Sequence, residues 1–94
     1  MNNEKHEGYK NRETWALALH LNNDEGLYLR CREMVKGKEL NRDLEQEFMD
    51  FIDELKEAHE ENPKNEALKL MFDDVGSLWR VDIVEVIEDF MDKE

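Results

Sequence analysis

Residues 11–28 read NRETWALALHLNNDEGLY, and their polar side chains fall where helices start and stop. Asn11 is a good N-cap, because its side-chain oxygen can accept a bond from an unpaired amide of the first turn. Glu13 then lies in that turn, where negative charge suits the helix dipole. Trp15, Ala16, Leu17, Ala18, Leu19 and Leu21 cover more than one helical stripe. That breadth predicts a central helix touched on several sides. Asn22 and Asn23 are poor in helix interiors and terminate it. Asp24 with Glu25 opens the next helix. The stretch reads as a corner between two helices, with Arg12, Glu13 and His20 left without a structural duty.

Helical spacing continues outward from this corner. Leu27, Cys31, Met34 and Val35 repeat at i, i+4, i+7 and i+8, one apolar face of a second helix that Gly37 ends. Its other face carries Arg30, Arg32 and Lys36, with Lys38 just beyond. Asn41 caps a third helix whose apolar positions are Leu44, Phe48, Phe51, Ile52 and Leu55. The residues between them, from Asp43 to Glu61, include nine acidic side chains and one basic one, Lys56. Solvated helices more often alternate signs, so this outward face is an unusual strip.

Asn62 and Pro63 predict the cap and first turn of a fourth helix, with Ala67, Leu68, Met71, Phe72 and Val75 inward and Gly76-Ser77 as its end. Residues 78–81 read as a short extended connector. Asp82 and Glu85 form a capping-box-like start for a fifth helix. A strand over 79–87 competes, but the period of Ile83, Ile87 and Met91 favours helix. Residues 1–10 lack periodicity and read as a flexible tail. The expectation is one all-α domain over 11–94, a compact bundle of four to five short helices.

Composition narrows the function classes. The 94 residues are 39% hydrophobic and 40% charged, with a net charge of −12. Residues 1–42 carry +1 and residues 43–94 carry −13. The second half repels nucleic acid and anionic membranes and attracts basic protein surfaces. No apolar run approaches the roughly 18 residues of a membrane span. The N-terminus lacks the apolar core of a signal peptide, and the single Cys31 fits a reducing compartment, so a cytoplasmic location is expected.

Tests for chemistry fail on spacing. His6, His20 and His59 have no partner at ligand spacing, so no metal site is predicted. The NNDEG run resembles an EF-hand loop until Gly26 is set as its glycine, which puts Leu21 and Arg32 at the end positions. Cys31 sits on an apolar face, Ser77 lacks a nucleophile-elbow context, and the glycines are scattered. No cofactor and no enzymatic activity are expected. A rigid helix with carboxylates in rows can instead imitate a nucleic-acid backbone and occupy a basic groove. The candidates for that role are Asp43, Glu47, Asp50, Glu54, Glu57 and Glu61. A merely solvated helix is the plain alternative. Two other readings stay open: a nucleic-acid face of Arg30, Arg32, Lys36, Lys38 and Arg42 with Tyr28 for stacking, and a structural homodimer.

Two blocks carry a resemblance. N-R-E-T-W followed by N-D-E-G-L-Y, and later D-V-G-S-L-W-R-V-D, resemble a group of small uncharacterised proteins carried by phages, plasmids and other mobile elements. Asn11, Trp15, Asn22, Asn23, Asp24, Tyr28, Trp79 and Asp82 are its signature positions here. The resemblance transfers no catalytic residue. It implies a mobile-element accessory protein working inside a bacterial or archaeal cell, and by analogy that setting favours inhibition of a host defence system such as restriction or CRISPR, with the acidic face of helix three pointing to a basic host protein as the partner.

Overall fold

The five helix starts are each set by one short polar side chain among the residues, 7–92, that the computed structural model describes. Asn11 accepts from the Thr14 amide and opens α1 (Arg12–Asn23). Asp24 accepts from the Leu27 amide and opens α2 (Glu25–Val35). Asn41 does the same for α3 (Arg42–Glu61) through Leu44, Asn65 for α4 (Glu66–Val75) through Leu68, and Asp82 for α5 (Ile83–Met91) through Glu85. Each satisfies one amide that the first helical turn leaves unpaired. Gly37 and Gly76, at φ 69° and 74°, take the turns that follow α2 and α4.

Two local expectations are corrected. The cap of α4 is Asn65, not Asn62. Asn62 is already engaged at the end of α3, where its amide donates to the Ala58 carbonyl, and its own carbonyl accepts from the Asn65 amide. Pro63 therefore serves a turn between two helices rather than the first turn of one. The connector after α4 is not extended but winds into a 3-10 turn at Leu78–Arg80, closed by Arg80 donating to the Ser77 carbonyl. The competing strand over 79–87 is not formed. Of the expected tail, residues 1–6 lie outside the described residues. The Lys10 amide donates to the Glu85 carboxylate at 2.8 Å.

α1 is the hub, packing against α2, α4, α5 and the 3-10 turn. Its breadth of apolar positions demands this: Ala16, Leu17, Ala18 and Leu21 are all buried. Phe48 of α3 and Phe90 of α5 fill the centre, their rings 6.4 Å apart, and Tyr28 of α2 meets Phe90 at 6.0 Å. Cys31 is fully buried among them. Burial pushes its thiol up to about 12, against a smaller opposing pull from Arg30. It is a small core residue and not a thiolate. No helix among the described residues is long and apolar enough to cross a membrane.

Candidate functional site

The longest helix presents the acidic strip. α3 has 20 residues, with Leu44, Phe48, Phe51 and Ile52 buried on one side. Asp43, Glu47, Asp50, Glu54, Glu57 and Glu61 are all exposed on the other. At 1.5 Å per residue, Asp43 to Glu61 spans about 27 Å. Nine carboxylates against Lys56 give roughly one net charge per 3.4 Å, the phosphate spacing of one DNA strand. Within the strip, Gln46 donates to Asp50 at 2.9 Å, and Lys38 pairs with Glu47 at 2.9 Å.

Beside the strip runs an apolar groove of about 230 Å³. Met49, Ile52 and Asp53 form its α3 wall, with Leu17 at the floor. Leu78 and Trp79 of the 3-10 turn, with Val81 and Ile83, form the other wall. Trp79 is 84% exposed and Met49 47%. The Arg80 guanidinium lies 5.9 Å from the Trp79 ring and 3.7 Å from Glu13. Asp53 is one helical turn from Met49 and also neighbours Asp50 and Glu57 at i−3 and i+4, so it joins groove to strip.

The two sequence blocks meet in a polar clasp. Asn11 accepts from both the Thr14 amide and hydroxyl, and its side-chain nitrogen donates to the Arg80 carbonyl at 2.9 Å. The Thr14 hydroxyl accepts from the Asp82 amide at 2.9 Å. Arg12 donates to the Asp74 carbonyl at 2.6 Å, and His20 Nε2 meets the Asp74 carboxylate at 2.8 Å. These contacts, chiefly the hydrogen bond to His20, hold the Asp74 carboxyl below its ordinary value of 3.8. Arg12, Glu13 and His20 thus tie α1 to α4 and the 3-10 turn. Asn22 back-bonds to the Ala18 carbonyl and reaches Asp89 at 3.2 Å. Trp15 is half-buried against the core, Asn23 is exposed, and Trp79 stands outside the packing.

A model of a family of unknown function, DUF7249, matches residues 2–93. The chain belongs to DUF7249. No curated protein and no solved structure matches it. The family assignment covers the strip, the groove and the clasp together, and leaves their roles to be argued from the geometry.

Of the alternative basic set, Arg32 and Lys36 line one open depression with Tyr28 and Glu33, while Arg30 and Lys38 are engaged elsewhere. Arg30 packs over the Phe51 ring at 4.8 Å. Arg32 donates to the Tyr28 hydroxyl at 2.9 Å and lies 5.8 Å from that ring. Lys38 is drawn to Glu47, while Lys36 and Arg42 are exposed. Among the described residues, no group of three or more His, Cys, Asp or Glu is arranged to hold a metal ion. Met49 and Asp53 were not legible as site residues. Met49 falls beside the apolar face of α3, and only the fold brings Trp79 opposite it.

Proposed function

We propose that this protein is a small, non-enzymatic interaction protein that binds the basic, nucleic-acid-binding surface of a host protein and blocks it. The observation that carries the reading is the exposed carboxylate row of α3, on a helix whose net charge per unit length, counted over all its faces, approaches that of a nucleic-acid strand. The partner's Lys and Arg release their counter-ions or bound nucleic acid on docking, so association is fast and salt-sensitive. A helix supplies the row in fixed geometry, which spares the ordering cost of a flexible acidic tail. The resemblance to mobile-element proteins makes a restriction or CRISPR enzyme the host target to try first, in the bacterial cytoplasm.

The test uses the full chain and a ridge variant, Asp50→Lys, Glu54→Lys, Glu57→Lys and Glu61→Lys. Each is immobilised and exposed to bacterial lysate at low and high salt. The expected result is retention of basic nucleic-acid-binding proteins by the native chain at low salt only. Equal retention by the ridge variant overturns the reading. Direct nucleic-acid binding is checked by gel shift at low salt, where no shifted band is expected.

A further inference from the structure

We infer that the groove between α3 and the 3-10 turn is the anchor pocket of that interface, taking one apolar side chain from a Lys- or Arg-rich protein segment. This rests on the reading of α3 as the docking face. A volume of about 230 Å³ falls short of the roughly 300–1,000 Å³ typical of small-molecule sites, but suits one or two inserted side chains. Its rim holds the most exposed large apolar residue described, Trp79 at 84%, together with Met49 at 47%. Tryptophan is the residue type that most often dominates binding energy when a partner covers it.

Charge selects the occupant. Asp53 lines the groove, and Asp50 and Glu57 flank Asp53 on α3. A segment with an apolar residue between cations meets carboxylates on the α3 side as it enters. On the other wall the Arg80 guanidinium lies 5.9 Å from the Trp79 ring, its charge offset by Glu13 at 3.7 Å, so the attraction for a partner's cations comes from the α3 carboxylates. A second copy of the chain is the wrong occupant. It would bring another net charge of −12 and another acidic α3 against the first.

The experiment titrates the full chain with three synthetic amphipathic peptides and reads tryptophan fluorescence and affinity. One peptide places Leu between lysines, the second replaces each Leu with Ala, and the third replaces each Lys with Glu. The Lys/Leu peptide is expected to blue-shift the emission of the native chain but not of Trp79→Phe. It should bind at least tenfold more tightly than the Lys/Ala peptide, and Trp79→Ala should remove that difference while leaving weak, salt-sensitive binding. Trp79 is too exposed for its loss to threaten the fold. If the Lys/Ala and Lys/Leu peptides bind alike and Trp79→Ala changes nothing, the groove proposal fails and the acidic face stands. If neither lysine peptide binds, both fail. Equal binding of the Glu/Leu peptide overturns the basic occupant. A dimer in sedimentation that Trp79→Ala dissociates overturns it in favour of a second copy.

Discussion

At the scale of single residues, the clasp shows how few atoms hold two distant segments together. Asn11 caps α1 and also donates across to the Arg80 carbonyl, so its side chain is used at both ends. Asn11→Ala removes the cap and leaves a part-buried carbonyl without its donor. The expected cost is about 2 kcal/mol by urea denaturation, the sum of a typical cap and one tertiary bond. Asp74 supplies a pH-dependent term. Its folded pKa is depressed, so its contribution is present above its ordinary value of 3.8 and is lost as pH falls through the folded value. Asp74→Asn should therefore lower the melting temperature at pH 7, with the gap closing once Asp74 is protonated in the folded chain. Cys31 gives a third readout. A fully buried thiol pushed up to about 12 should resist alkylation in native buffer and label only on unfolding.

At the scale of elements, α3 combines two buried aromatic side chains, Phe48 and Phe51, with the least comfortable surface. Phe48 is fully buried at the centre, so Phe48→Ala should cost about 3–5 kcal/mol in chemical denaturation. That is a large share of the roughly 5–15 kcal/mol typical of such a domain. Helix existence was readable from sequence because caps and apolar spacing are local. Asn11, Asp24, Asn41 and Asp82 act as the chain order implied. Asn62 and Asn65 were not separable, since both offer the same capping oxygen within one turn. Only the length of α3, decided by packing, assigns one to its end and the other to the next start. The groove was illegible for a related reason. Trp79 and Met49 lie 30 positions apart and come to face each other across the groove only when the 3-10 turn and α3 are set in place around α1 and α5. A large aromatic in a four-residue connector was the available signal, and from the sequence alone it read as structural.

At the scale of the whole molecule, a net charge of −12 opposes the compact state. The Debye length shrinks from about 30 Å at 0.01 M salt to 3 Å at 1 M. Added sodium chloride should therefore raise the melting temperature, measured by circular dichroism, and the Lys-substituted ridge variant should gain less. The clasp has another consequence, for the order in which the chain is made. α1 is the hub of the core, yet Asn11, Arg12 and Thr14 find their partners at Arg80, Asp74 and Asp82, between 62 and 69 positions later. A ribosome releases the hub well before most of what surrounds it. The nascent chain must carry a widely apolar helix without its covering until residues near 80 leave the exit tunnel. Folding should then wait for that point, and a stop codon placed just before Leu78 should yield a protease-sensitive chain even though four of the five described helices are encoded.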